Sequence, residues 1–247
     1  MEWKRPLLLL FFLSGVNCAW AASLSDLLTQ TRTQLRDTAT NTERRRFSDS
    51  QLTTFLNNAQ REVNARAWCV VGSSNINLVS GTTEYSLPSD FILPLRVTVN
   101  NLALVERTFT FFDEANGTWI SETGPPREYY VRVDSSIVSN VTRESIGIHP
   151  VSTSAAIMSI QYLQQPSDLS NGSDIPFSGN VRLYPYHYAL AYYATYMGYL
   201  ADGKKEEAAL YYQSFASVFN LLEGNEVARK YFNPNLRGTR APVEPKQ

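Results

Sequence analysis

The chain has 247 residues, 22 of them basic and 23 acidic, for a formal net charge of −1. That length allows one or two domains with a real core, and the balanced charge excludes the global electrostatic attraction on which a basic, DNA-gripping domain depends. The two cysteines, Cys18 and Cys69, are too few for a disulfide framework or a cysteine-rich metal site.

Met1 to Ala21 has the parts of a secretory leader. Lys4 and Arg5 precede the apolar run Leu7 to Leu13, and Ala19, Trp20 and Ala21 give the small-residue pattern that makes Ala21 the cleavage candidate. The apolar run is too short to span a bilayer as a helix, and no later run is long enough. Removing residues 1–21 takes away Glu2, Lys4 and Arg5 and leaves a net charge of −2.

After the leader, Ser23 or Ser25 caps a first helix that carries Leu24, Leu27, Leu28 and Leu35. The polar loop Asp37 to Arg46 follows. Its run Arg44, Arg45 and Arg46 reads either as a solvated loop or as a contact for phosphate or an acidic partner. Ser48 and Gln51 then form a capping box, with Phe47 and Leu52 as its hydrophobic staple. The helix they open places Leu52, Phe55, Leu56, Ala59, Val63 and Ala67 on one face and should end near Trp68.

From Cys69 to Tyr162 the hydrophobic period falls toward two. Strands are expected over 75–79, 84–87, 95–99, 102–105, 129–133, 137–138, 146–149 and 156–162. Asn100 and Asn101 suggest a tight hairpin because Asn tolerates positive φ, and Pro88, Pro94, Pro125, Pro126 and Pro150 should mark strand ends or edges. Such short strands point to an antiparallel sheet or a small barrel. Phe109, Phe111, Phe112 and Trp119, around Asp113 and Glu114, read as a helical turn packed by aromatics, with a carbohydrate platform as the other reading. Gln165 to Gly179 is a long loop.

Leu183 to Leu222 reads as two amphipathic helices joined by a turn at Asp202 and Gly203. The first offers one stripe of Leu190, Tyr193, Ala194, Met197 and Ala201 and a second of Tyr188, Tyr192, Tyr196 and Tyr199. The tyrosines suit either a core with hydroxyls reaching water or a subunit interface. The second helix carries Ala208, Tyr212, Phe215, Phe219 and Leu222 as its core stripe and stops at Gly224. The Pro-rich tail after Phe232 is expected to stay flexible until a partner orders it.

The fold class that follows is α+β: a discontinuous helical bundle made from N- and C-terminal helix pairs, with an inserted antiparallel β region. The segments are a leader (1–21), a helix pair (22–68), the β insertion with its long loop (69–179), a helical hairpin (180–232) and a C-terminal arm (233–247). Catalytic signals are absent. His149 and His187 fall in different elements, no metal-binding or nucleotide-binding motif occurs, and Cys69 beside Trp68 reads as buried and structural. No catalytic residue, metal or cofactor is expected.

Several stretches, taken in order, resemble the head-to-tail adaptor proteins of tailed bacteriophages. They are the opening helix Leu24 to Leu35, FSDSQLTTFLNNAQREV at Phe47 to Val63, YSLPSDFILPLRVTVNNLAL at Tyr85 to Leu104 and GPPREYYV at Gly124 to Val131. IGIHPV at Ile146 to Val151, IQYLQQPSDL at Ile160 to Leu169, LYPYHYAL at Leu183 to Leu190 and the following ADGKKEEAALYYQSF continue the series. The resemblance implies a non-enzymatic virion protein assembled in the host cytoplasm. It also implies a dodecameric ring beneath the portal protein, a tail or head-completion protein docked on it, and a channel that passes DNA without specific binding. The C-terminal arm would reach the portal, with Tyr231, Phe232, Asn235 and Arg237 as contact candidates beside Arg44, Arg45 and Arg46. The leader does not suit such a protein, and it supports the alternative of an exported periplasmic or extracellular module derived from one.

Overall fold

The computed structural model describes residues 21–40, 42, 45–115, 118–136 and 141–224. The opening helix, α1 (Leu24–Leu35), starts where Ser23 accepts a hydrogen bond from the Asp26 backbone and Asp26 answers to the Ser23 N–H, a complete capping box. The next, α2 (Asp49–Ala67), repeats the device as expected: Gln51 N donates to Ser48 Oγ at 3.1 Å and Ser48 N to Gln51 Oε1 at 2.9 Å. Phe47 and Leu52 are both buried in one cluster, which completes the staple.

Among the described residues the chain then builds eight strands and a short helix: β1 (Val71–Leu78), β2 (Glu84–Ser86), β3 (Phe91–Val99), β4 (Leu102–Ala103), β5 (Val105–Glu106), α3 (Phe109–Ala115), β6 (Glu128–Ser136), β7 (Val141–His149) and β8 (Ala156–Gln164). They form two four-stranded sheets, ordered β1-β8-β3-β4 and β2-β7-β6-β5. Leu78, Val97, Val99, Met158 and Ile160 from the first sheet and Tyr129, Ile146 and Ile148 from the second meet in one core, so the two sheets pack face to face.

Three expectations change here. The expected strand 102–105 is broken at the buried Leu104, where the chain crosses from one sheet to the other, and β5 pairs with β6 in parallel rather than antiparallel. Pro94 lies inside β3 instead of ending it. The ladder to β8 absorbs the missing N–H by shifting register on both sides of the proline. The expected strand 137–138 lies outside the described residues. The Asn100–Asn101 hairpin stands as expected, with φ of 48° and 68°.

A six-residue 3-10 stretch (Val181–Tyr186) leads into α4 (His187–Ala201). The turn through Gly203, whose φ is +74°, then leads to α5 (Lys205–Gly224). α4 is the central helix and touches α1, α2 and α5. Two clusters fix the directions of all four. At the end near the sheets, Leu24 and Leu27 of α1 meet Leu56 and Val63 of α2, Leu190 and Ala194 of α4 and Phe215 of α5. At the far end, Leu35, Leu52, Tyr199 and Ala208 meet. Helices α1 and α4 therefore run away from the sheets, and α2 and α5 run toward them. The expected α4 and α5 stripes lose Ala201 and Tyr212, which are exposed, while Ala191 and Val218 are buried.

The helical and sheet cores share no residue, and a row of amides joins them. Asn57, Gln60 and Asn64 are buried on α2 and bond the backbone of the segment that leaves β8. Asn57 exchanges two hydrogen bonds with Leu169, donating to its carbonyl at 3.1 Å and accepting from its N–H at 2.8 Å. Gln60 donates to Ser167 O at 2.8 Å and accepts from Phe177 N at 3.2 Å, and Asn64 donates to Gln164 O at 2.8 Å and accepts from Val70 N at 2.8 Å.

Candidate protein interface

The α4–α5 hairpin carries its tyrosines in two rows. Tyr188 lies edge-on to Tyr192 at 5.8 Å, Tyr192 reaches Tyr211 at 6.4 Å, and Tyr211 stacks on Tyr199 at 5.5 Å. On the other side Tyr193, Tyr196, Tyr212 and Phe215 interlock at centroid distances between 5.1 and 6.1 Å. Burial raises the phenol pKa of Tyr188, Tyr193 and Tyr211, so these rings stay neutral.

The four tyrosines of the expected interface have different surroundings. Tyr199 is buried inside its own chain, where its hydroxyl donates to Gln34 O at 3.0 Å and Lys204 lies over its ring at 5.7 Å. Tyr192 and Tyr196 are half-buried, and Tyr188 is 38% exposed. The open surface of the hairpin also includes Leu200 at 40%, Leu210 at 64% and Tyr212 at 37%, with Val181 at 69% just before α4. Leu210 was not an expected contact. Its signal is an apolar residue two positions off the buried stripe of α5, on a face that otherwise reads as polar.

The arginine run is largely engaged within the chain. Arg46 bonds Asp202 in the hairpin turn and the Leu35 carbonyl, while Arg45 donates to Ala39 O at 2.9 Å and lies 3.6 Å from Asp49. Arg46 thus ties the loop to the α4–α5 turn and to the end of α1. Arg44 lies outside the described residues, as do Tyr231, Phe232, Asn235 and Arg237. Ala21, the cleavage candidate, is half-buried at the start of the described chain. Arg32, unremarked in the sequence, is buried. It donates to Asp37 at 3.0 Å, to Asp49 and to Phe47 O at 3.0 Å, pinning the same loop from below.

No reactive constellation assembles among the described residues, and none of their His, Cys, Asp and Glu groups could hold a metal. Cys69 is buried, with its thiol pushed up to about 12 by desolvation. His149 packs on Phe112 and Trp119 in the aromatic cluster of α3, 3.3 Å from Glu122 and 3.5 Å from Glu128. The Phe112–Trp119 stack at 4.8 Å agrees with the packed-turn reading of that segment. His187 sits at the base of α4 beside Phe177 and Tyr184 with no hydrogen bond to either ring nitrogen, and burial pushes its pKa down to about 4.

The described residues thus assemble a braced surface with exposed apolar side chains, the equipment of a structural protein that works by contact. A family model described as SU10 adaptor protein matches residues 22–238. The chain belongs to that family, one of tailed-phage head-to-tail adaptors whose members are virion proteins working with portal and tail components. No curated protein sequence matches the chain. No described helix is long and apolar enough to cross a membrane.

Proposed function

We propose that the protein forms a homo-oligomeric ring beneath the portal, of twelve subunits by resemblance. The ring joins capsid to tail and leaves a channel for DNA. The family match across residues 22–238 carries this reading. The exposed Tyr188, Leu200, Leu210 and Tyr212 support it as apolar surface for neighbouring subunits to cover. In the ring the two helix pairs act as one discontinuous bundle, the sheets project from it, and the C-terminal arm contacts the portal, with Asn235 and Arg237 as its contact candidates. A tail or further head-completion protein docks on the opposite side. The slightly acidic chain suits a channel through which DNA must slide, and binding of assembled rings to duplex DNA at physiological salt would count against that.

The deciding experiment is the native mass of protein started at Ser23, with and without portal rings. A large ring, or a monomer that assembles on adding portal, is expected. A monomer indifferent to portal overturns the reading. The leader at residues 1–21 supports a second reading, an exported interaction module, for which a secreted fraction beginning at Ala22 is the mark.

A further inference from the structure

The four strands at the sheet edges are unequal. β2, β4 and β5 have three, two and two residues, and shortness alone protects them from pairing with other chains. β1 has eight. It pairs with β8 along its whole length on one side, and among the described residues no backbone hydrogen bond reaches its other side. It also lacks the usual guards, because no charged residue and no proline occurs between Arg66 and Glu84. Its side chains alternate between exposed and half-buried as far as Asn77, with Val71 at 45%. Such an edge is a template for another strand.

The end of α5 lies close by. The helix runs toward the sheets, and its Phe219 ring lies 5.8 Å from the guanidinium carbon of Arg66, which is five residues before β1 begins. From Phe219 the helix rises only about 7.5 Å more to Gly224. Twenty-three residues follow, and their longest proline-free run is 225–233, Asn-Glu-Val-Ala-Arg-Lys-Tyr-Phe-Asn. Extended, that run covers about 30 Å, enough for the roughly 26 Å of β1. It carries Glu226, Arg229 and Lys230, charges of the kind β1 lacks, and Pro234 follows it, a residue with no N–H with which to continue a ladder.

We propose that residues 225–233 add to the free edge of β1 in the same molecule, as a fifth strand of that sheet. The strand covers the unguarded edge and launches the remaining arm, from Pro234 onward, from the side of the sandwich.

The test is amide hydrogen exchange on the full chain, kept below the concentration at which it self-associates, against the double variant Val227→Pro with Lys230→Pro. The two positions have opposite parity along a strand, so one of them removes an N–H facing β1 whichever way the run is turned. Amides of β1 should exchange about tenfold faster in the variant while those of α4 stay unchanged. Equal exchange in both proteins overturns the proposal. So does protection of β1 that appears only as concentration rises, because the cover is then a strand of a second copy. Should α4 exchange rise too, spin labels on Asn77→Cys and Arg229→Cys in otherwise unaltered protein decide independently. A short, narrow distance supports the added strand, and a broad distribution overturns it.

Discussion

Lowering the pH should loosen the helical core through His187. The ring is buried, neither nitrogen has a partner of full hydrogen-bond geometry, and desolvation, only partly offset by a weak contact with the Ala22 backbone, holds its pKa at about 4 against 6.5 for an exposed histidine. Only the unfolded chain takes the proton readily, so the stability this site contributes is complete above pH 6.5 and is lost as pH falls toward 4. At pH 5 the linkage amounts to about 2 kcal/mol, and below pH 4 it approaches about 3 kcal/mol. Carboxylates and other groups titrate over the same range, so the informative quantity is a difference between proteins. His187→Phe keeps a ring against Phe177 and Tyr184 and cannot be protonated. Urea unfolding at pH 7.5 and pH 5 should show wild type losing about 2 kcal/mol more than the variant. Parallel losses would refute the reasoning, because they would mean that the folded protein accepts the proton at no cost.

Replacing Asn57 with Ala should cost about 2–4 kcal/mol in thermal or urea unfolding, since it strands both backbone groups of Leu169 in a buried setting. Gly147→Ala should disrupt the sandwich: a Cβ there would stand 2.0 Å from the Tyr130 ring, which lies across Gly147 in the β6–β7 ladder, and near-UV circular dichroism would report the loss. Tyr199→Phe should lower stability by about 1 kcal/mol through the lost bond to Gln34 O and leave assembly intact. Leu210→Asp paired with Tyr188→Ala should do the reverse, weakening self-association by sedimentation while leaving the melting temperature of the monomer unchanged.

Local chemistry made much of this fold legible in advance. Ser48, Gln51, Phe47 and Leu52 announced the start of α2 because a capping box and its staple lie within five residues of one another. The Asn100–Asn101 hairpin was legible for the same reason. What stayed hidden depends on partners far along the chain. Asn57, Gln60 and Asn64 read as the polar side of an amphipathic helix, and it is chiefly backbone a hundred or more residues away that makes their burial tolerable. The tyrosine stripe shows the same limit. Tyr188 and Tyr199 share one face of α4, yet the end of α1 covers one and leaves the other open. The parallel pairing of β5 was illegible too, since a two-residue strand carries no periodicity to read.

The amide row on α2 also divides the freedom to vary between the two sides of the joint. Every bond that Asn57, Gln60 and Asn64 make to residues 164–177 goes to main-chain atoms, so this part of the grip is indifferent to which side chains that segment carries, apart from those it buries. From Gln165 to Asp174 the outward residues can be chosen by whatever that surface must meet, except Asp168, which pairs with Arg61 of α2, and Asp174, which accepts from the Ser170 and Asn171 N–H groups. The helix has no such latitude, since few side chains other than a carboxamide can both give and accept at one main-chain position.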